Sequence, residues 1–278
     1  MVLNGLSFDI EDWFQVENLK EAVSRNEWDS CDLRVVQNTR RILEILDRHQ
    51  TRATFFVLGW VAEKCPALVK EIAGAGHEIA SHGYGHELIY KLTPEEFHSD
   101  ILRSKKSLES ISGKSVCGYR APSFSIVPET KWAFDILKDT GFLYDSSIFP
   151  TSFHNRYGFN GASSSPFRYD NGLVEIPLST YSFCRVNFPV GGGGYFRLFP
   201  YFVFRNFLKK LNNQGKSAVL YLHPWELDAH QPRMKIRFNY RLRHYINLEK
   251  TEWRLGKLLK EFKFVNLNEM VNRFFPNP

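Results

Sequence analysis

The sequence predicts an α/β fold in which a parallel β-sheet, covered by helices, closes into a barrel. Short apolar runs of strand length alternate along the chain with segments whose apolar residues recur at helical spacing. Strands that are apolar throughout indicate a parallel sheet buried on both faces. We favour a closed barrel over an open doubly wound sheet because no Gly-x-Gly-x-x-Gly sequence follows the first strand. A chain of 278 residues is long enough for one such barrel with additions.

The individual elements follow from local signals. The predicted strands cover residues 6–10, 54–58, 77–81, 116–119, 142–144, 218–222 and 264–267. The predicted helices cover residues 33–49, 61–75, 94–112, 128–140 and 249–262, with a further helix at the C-terminus. Thr93 and Glu96 form a capping box around Pro94 at the start of the third helix. Gly141 ends the fourth helix.

Three segments interrupt the alternation of strands and helices. Residues 151–169 are rich in Ser, Gly, Asn and Phe, which is typical of a long surface loop. Residues 191–197 read Gly-Gly-Gly-Gly-Tyr-Phe-Arg and form either a floppy connector or a loop that faces a substrate. Tyr195 and Arg197 favour the second interpretation. Residues 230–247 are basic without clear periodicity and indicate an excursion before the last helices.

Composition and charge limit the class of protein. The net charge of +6 and the pI of about 9.0 favour anionic partners weakly, but no basic run or nucleic-acid motif is present, so we expect no nucleic-acid binding. No run of about 18 apolar residues predicts a membrane span. No signal-peptide pattern is visible, and single scattered cysteines are typical of a reducing compartment, so we expect the cytoplasm or the inner face of the membrane. The cysteines are Cys31, Cys65, Cys117 and Cys184.

Carboxylates are crowded at the end of the first predicted strand. Asp9, Glu11 and Asp12 follow Phe8 within four positions. Like charges this close shift each other's pKa unless a cation neutralises them. The cluster therefore favours a metal site or acid–base chemistry. The alternative is a solvated turn with a helix cap.

Four later predicted strands also end in chemically capable side chains. His82 and His86, four residues apart, follow the strand 77–81 and would share one face of a helical turn. Arg120, Asp145 and His223 follow three further strands. Each alone has an ordinary interpretation as an ion pair, a cap or a turn residue. Because parallel strands bring their carboxyl ends to one face, the coincidence predicts a single active site there.

The order of these motifs resembles that of the polysaccharide deacetylases of the NodB-homology type, carbohydrate esterase family 4. The segments that carry the resemblance are residues 8–13, 81–86, 118–123, 144–147 and 222–226. The resemblance implies a distorted, TIM-like (β/α) barrel of about seven parallel strands and a divalent metal. The first and last segments look closest to a bacterial subgroup associated with exopolysaccharide and exosortase gene clusters. Residues 1–228 would then form the deacetylase barrel, and residues 229–278 an extension that completes or packs on it.

The resemblance also implies a role for each matched residue. Asp9 matches the catalytic base, and Arg120 matches the arginine that orients it. His223 matches the general acid, and Asp145 the aspartate that holds this histidine. The residues expected at the oxyanion or the substrate are Pro122, Ser123, Tyr195, Arg197 and Trp225.

The metal ligands follow the family less closely. His82 and His86 match the two histidine ligands, but the family's adjacent aspartates are replaced by Asp9-Ile10-Glu11-Asp12. In a regular strand Asp9 and Glu11 would share a face. We favour Asp12 as the carboxylate ligand, with Glu11 as the alternative, because Asp is the family's residue type and a bend after Glu11 is plausible.

The expected reaction is removal of the acetyl group from an N-acetylated amino sugar in a bacterial polysaccharide or its precursor. The ligand types suit Zn²⁺ and also Co²⁺, Ni²⁺ or Fe²⁺. Three alternatives stay open: a glycoside hydrolase that pairs Asp9 with Glu175, a non-catalytic carbohydrate-binding protein on the same fold, and a metal-dependent hydrolase of another C–N bond. The sequence fixes neither the sugar nor the oligomeric state.

Overall fold

The computed structural model describes residues 2–151, 158–159, 161–183 and 186–276. Its strands are β1 Asn4–Ile10, β2 Thr54–Val57, β3 Glu78–Ser81, β4 Gly118–Tyr119, β5 Tyr144–Asp145, β6 Phe167–Arg168, β7 Val174–Glu175, β8 Thr180–Phe183, β9 Val186–Pro189, β10 Val219–Leu222 and β11 Phe264–Val265. Its α-helices are α1 Val35–Arg48, α2 Gly59–Lys64, α3 Pro66–Gly74, α4 Pro94–Ser112, α5 Trp132–Asp139, α6 Gly193–Leu198, α7 Tyr201–Asn213, α8 Phe238–Tyr245, α9 Thr251–Glu261 and α10 Leu267–Phe274.

One curled sheet organises the molecule, with the strand order β10-β1-β2-β3-β4-β5-β7-β6 and with β11 paired to the start of β1. Every pairing in it is parallel except β6 with β7. Two backbone hydrogen bonds connect β10 to the segment that follows β7. Ser179 N donates to Val219 O at 3.4 Å, and Tyr221 N donates to Gly191 O at 2.9 Å. The predicted α/β fold is therefore confirmed, in the form of a curled half-barrel.

Side-chain alternation in β1 decides which residues reach the inside of the curl. Leu6, Phe8 and Ile10 are buried in the apolar cluster that includes the helices. Asp9 therefore points to the opposite face, and its register partner Phe56 belongs to the second apolar cluster, inside the curl. The parallel strands thus deliver the residues at their carboxyl ends to one face, as the sequence predicted.

Several element predictions are confirmed and others are wrong. Thr93 caps α4 in a capping box, with Pro94 in the first turn. The hairpin β8–β9 and the helix α7 were not predicted. The loop predicted for residues 191–197 is wrong from Gly193 onward, where α6 begins. In the loop predicted for residues 151–169, residues 152–157 and 160 lie outside the described part of the chain, as does Cys184.

The last third of the chain is joined to the sheet. β11 pairs with Asn4 and Gly5 of β1, and Leu267 N donates to Thr54 Oγ1 at 2.7 Å. The boundary between residues 1–228 and 229–278 stays a prediction. Within the described residues, no helix is long and apolar enough to cross a bilayer.

Candidate metal centre and active site

A cavity of about 370 Å³ opens where the parallel strands end. Polar side chains line its inner end: the buried Asp9, Glu11, His82 and His86 and the half-buried His223. Its outer walls include Tyr195 and Leu198 from α6 and Leu242 from α8. Residues far apart in sequence therefore meet in one site, as the strand-end argument predicted.

Asp9 is held by a buried arginine. Arg120 Nη1 donates to Asp9 Oδ1 at 2.7 Å and to Ser7 Oγ at 2.8 Å. The same guanidinium donates to Ser146 O and Ser146 Oγ at 3.1 and 2.9 Å, and it is fully buried. Arg120 thus neutralises and orients the Asp9 carboxylate.

Glu11, His82 and His86 form a group that could hold a metal ion. One ligand atom from each residue lies within 4.8 Å of the other two, and all three residues are buried. Glu11 Oε2 lies 2.7 Å from His86 Nε2. Burial raises the pKa of Glu11, but the charges of His86, His223 and His82 bring the net pKa below its usual value.

His82 is set up as a neutral ligand. Its Nδ1 lies 2.8 Å from the Arg120 carbonyl oxygen, and this contact is a hydrogen bond when Nδ1 carries the proton. In that tautomer the Nε2 lone pair is available to a metal. Burial is the largest of the effects that lower the pKa of His82 to about 3.

The two histidines are brought together by a loop, whereas the sequence suggested a helical turn. Gly83 and His86 have φ angles of 74° and 57°, in the left-handed region. Asp100 of α4 accepts from Tyr84 N at 2.8 Å and from Gly85 N at 3.2 Å. This half-buried carboxylate fixes the loop that carries the candidate ligands.

The preference for Asp12 as the carboxylate ligand is corrected by the structure. Asp12 Oδ2 accepts from Arg34 N and Val35 N at 2.7 and 2.8 Å, and Oδ1 accepts from Trp13 N at 2.8 Å. Asp12 therefore caps the start of α1, while Glu11 continues the inward alternation of β1. Burial raises the pKa of Asp12 to about 6.

His223 stands across the site from the two histidines. Its Nε2 lies 3.5 Å from Glu11 Oε1 and 3.9 Å from Asp9 Oδ2. Its Nδ1 lies 2.6 Å from Glu226 Oε1. Burial lowers the pKa of His223, but the hydrogen bond to Glu226 and the charges of Glu11, Glu226 and Asp9 raise the net pKa to about 9.

The assignment of Asp145 as the partner of His223 is wrong. Asp145 Oδ1 accepts from Ser147 Oγ at 2.6 Å, and Ser147 Oγ accepts from Ala121 N at 2.8 Å. Asp145 is also the register partner of Glu175 in the neighbouring strand β7. Burial raises the pKa of Asp145 to about 6, and burial together with the charge of Asp145 raises the pKa of Glu175 well above its usual range.

Arg197, expected at the substrate, lines the cavity and also supports Glu226. Its guanidinium is 1% exposed, and Arg197 Nε donates to Glu226 Oε2 at 2.7 Å. Arg197 Nη1 donates to the carbonyls of His244 and Ile246 at 3.0 and 2.8 Å. Arg197 thus ties α6, the turn after β10 and the end of α8 together.

The remaining residues expected at the substrate divide into two sets. Ser123 and Tyr195 line the cavity, and Ser123 has a φ of 51°. Pro122 is buried, outside the lining, and its carbonyl accepts from Ser125 Oγ at 2.6 Å. Trp225 lines the cavity, but its ring stacks against that of His223 and its Nε1 donates to Glu11 Oε1 at 3.3 Å.

Sequence reasoning missed Glu226. The spacing of His223 and Glu226, three residues apart around Pro224, was the available signal, because a single helical turn brings such residues together. The sequence contained no comparable signal that Arg197 would hold Glu226 in place. Its contacts join segments that are far apart in the sequence.

Comparison with known proteins gives two family-model matches within the chain. Residues 26–144 match the family model Polysaccharide deacetylase. Over these residues, which are less than half of the chain, it is similar to the polysaccharide deacetylases. Residues 146–272 match a second model, a domain of unknown function (DUF3473), which covers β10, α6 and α8.

Two relatives show how far the similarity extends. The chain is 38% identical over 96 residues to a peptidoglycan-N-acetylglucosamine deacetylase of Bacillus cereus, covering 34% of this chain and 35% of that protein. It is 30% identical over 156 residues to a peptidoglycan deacetylase of Helicobacter pylori, covering 51% of this chain and 52% of that protein. The chain thus spans only a third to a half of the lengths of these relatives.

A solved structure extends the likeness in fold to nearly the whole chain. A Mycobacterium smegmatis protein provisionally named a polysaccharide deacetylase superposes with a TM-score of 0.65 at 21% identity. The superposition covers 98% of this chain and 89% of that one. At this identity it shows the shared fold alone.

Proposed function

We propose that this polysaccharide deacetylase relative is a metal-dependent hydrolase that removes acetyl groups from N-acetylated amino sugars of a glycan. The observation that carries the proposal is the convergence at one end of the cavity. The Glu11, His82 and His86 cluster lies there beside Asp9 and His223.

The candidate ligands fit a divalent metal. Two imidazoles and one carboxylate match the ligand set of catalytic zinc sites and also suit cobalt, nickel or iron. Among the described residues, Glu11 Oε2 is buried and makes no hydrogen bond of good geometry, although His86 Nε2 is near. A buried carboxylate oxygen in this condition is stabilised by a cation. When bound, the metal would polarise the acetyl carbonyl and acidify a water molecule.

Asp9 and Arg120 are suited to remove the proton from the attacking water. The Arg120 guanidinium pairs with Asp9 Oδ1 at 2.7 Å and holds in place the carboxylate that is proposed to accept that proton. It also fixes the rotamer of the carboxylate through its bonds to Ser7 and Ser146. Asp9 is therefore proposed as the general base.

His223 is suited to protonate the departing nitrogen. The Glu226 carboxylate at Nδ1 and the nearby carboxylates favour the imidazolium, so Nε2 carries a proton towards the cavity. Arg197 in turn keeps Glu226 ionised and in place. Ser123, which lines the same cavity, is proposed to donate its backbone N–H to the developing oxyanion.

The substrate class is proposed from the relatives. The two proteins above are named for peptidoglycan, and a 29% identical protein of Bradyrhizobium is named a chitooligosaccharide deacetylase. An N-acetylhexosamine in a bacterial polysaccharide or its precursor is therefore the proposed substrate. Assignment to the exopolysaccharide-associated subgroup is part of this proposal.

The glycoside-hydrolase alternative has no support in the geometry. It requires Asp9 and Glu175 to face each other across a groove, but Glu175 is fully buried against Asp145. Its Oε1 accepts from Ile148 N at 3.1 Å. Glu175 is also outside the cavity lining within the described residues.

Acetate release from an N-acetylated chitooligosaccharide by the zinc-loaded protein tests the proposal. Asp9→Asn and His223→Ala should each lower the rate at least about 100-fold. The exposed residues Asp139 and His98 offer the matched controls Asp139→Asn and His98→Ala, which should keep the wild-type rate. Unchanged acetate release in both site variants would refute the mechanism. Hydrolysis of a cyclic amide, or new reducing ends without acetate, would indicate a competing function.

A further inference from the structure

Exposed apolar side chains surround the mouth of the cavity. Leu198 at the end of α6 is 49% exposed, and Leu242 of α8 is also 49% exposed. Both line the cavity. Phe238, one helical turn before Leu242 on α8, is 76% exposed. Large apolar side chains grouped in this way mark a binding surface.

The same segment is strongly basic. Residues 229–248 contain no Asp or Glu, and five cationic side chains in this segment are exposed. These are Arg233, Lys235, Arg237, Arg241 and Arg243. The facing loop offers two carboxylates, Glu17 at the cavity wall and Glu21 at 3.5 Å from Arg237. Positive charge therefore predominates around the apolar side chains.

We propose that this α6–α8 face, defined by Leu198, Phe238, Leu242 and the basic segment 233–243, docks on an anionic lipid surface. A short helix that combines exposed Phe and Leu with Arg and Lys is typical of segments that lie in the membrane interface. The apolar side chains enter the boundary between headgroups and acyl chains. The cationic side chains pair with lipid phosphates, and their long stems let the charges stay at the headgroup level.

The charge pattern favours a lipid surface over a second copy of the chain. Closed dimers of identical subunits commonly place the same patch of both subunits face to face. Here that arrangement would press five cationic side chains of one copy against the same five of the other. An anionic bilayer complements both the charge and the apolar character of the face.

Docking in this orientation turns the cavity mouth towards the bilayer, because Leu198 and Leu242 belong both to the face and to the cavity wall. A glycan attached to a lipid would then meet the site while anchored. Only this last consequence rests on the proposed function. Docking itself does not.

Sedimentation of the full chain with lipid vesicles tests the docking. Vesicles containing phosphatidylglycerol should retain the protein, whereas pure phosphatidylcholine vesicles should retain at most about a tenth as much, and high salt should reduce retention. The variant Phe238→Ser with Arg241→Gln removes one apolar and one cationic side chain outside the cavity wall. It should bind anionic vesicles about tenfold more weakly.

A matched control replaces one exposed apolar and one exposed cationic side chain elsewhere, as Leu143→Ser with Lys106→Gln. This control should bind like the wild type. Both double variants should release acetate from a soluble chitooligosaccharide at the wild-type rate, which separates docking from the reaction. Equal retention on both vesicle types, unchanged binding by the α8 variant, or a dimer that this variant dissociates would each overturn the proposal.

Discussion

Glu226 Oε1 lies 2.6 Å from Nδ1 of His223, and both residues belong to the segment that directly follows β10. The other oxygen of Glu226 accepts from Arg197 Nε at 2.7 Å. The proposed general acid is thus held by a carboxylate of its own turn, backed by an arginine from α6. The orientation of His223 depends on the half of the chain that lies outside the deacetylase family model.

Replacing Glu226 should impair the chemical step more than substrate binding. In Glu226→Gln the charge that favours the His223 imidazolium is lost, while the size of the side chain is kept. We expect kcat for acetate release to fall about 100-fold with KM nearly unchanged. The exposed Glu249→Gln is a matched control on the same half of the chain. A wild-type kcat in Glu226→Gln would exclude the positioning role.

The glycine that begins α6 should be needed to keep Glu226 in place. A Cβ atom at Gly193 would overlap the Glu226 carboxylate, whereas a Cβ atom at Gly194 would meet nothing within 4 Å among the described residues. We therefore expect Gly193→Ala to lower kcat, and Gly194→Ala to be tolerated. Steady-state kinetics and melting temperatures of the two variants provide the check. Equal kinetics and melting temperatures in the two variants would show that the turn accommodates a Cβ atom at Gly193 without loss of activity or stability.

Metal content should distinguish Glu11 from Asp12. Because Glu11 groups with His82 and His86, Glu11→Gln should weaken zinc binding at least about 100-fold. Asp12→Asn should retain the metal but lower the free energy of unfolding by about 1–2 kcal/mol, since its carboxylate caps α1. Zinc titration and urea denaturation measure the two effects. If Asp12→Asn lost zinc and Glu11→Gln did not, Asp12 would be the carboxylate ligand, as the sequence favoured.

The buried pair of Asp145 and Glu175 should make stability depend on pH. Burial raises both pKa values, so the folded state keeps protons that the unfolded chain releases above its ordinary carboxyl pKa. Stability should then fall as pH rises from about 5 to 8. Glu175→Gln, which keeps a hydrogen-bond donor without a titratable proton, should flatten this fall. Urea unfolding at several pH values measures this dependence. If the free energy of unfolding fell equally with pH in the wild type and in Glu175→Gln, the pair would not be protonated in the folded state.

The sequence was sufficient to predict the sheet and the meeting of its strand ends. Those predictions rest on local apolar runs and on the rule that parallel strands share one carboxyl face. Asp9, His82, His86, Arg120 and His223 therefore meet as expected.

The wrong predictions concern side chains whose contacts depend on the direction that the chain takes after a strand ends. The alternation of β1 continues through Glu11, and Asp12 turns to a helix start 22 residues further along the chain. The family resemblance assigned Asp145 as the partner of His223, but Asp145 instead interacts with Ser147 and Glu175. The helical start at Gly193 and the burial of Arg197 depend on packing against β10 and α8, which no local pattern reveals.

The central claim is that the Glu11, His82 and His86 cluster holds a metal that amide hydrolysis requires. Its most direct test is the rate of acetate release from an N-acetylated chitooligosaccharide after treatment with a chelator and after zinc is restored. We predict a loss of at least about 100-fold on chelation and recovery with about one zinc ion per chain. An undiminished rate in the metal-free protein would contradict the account.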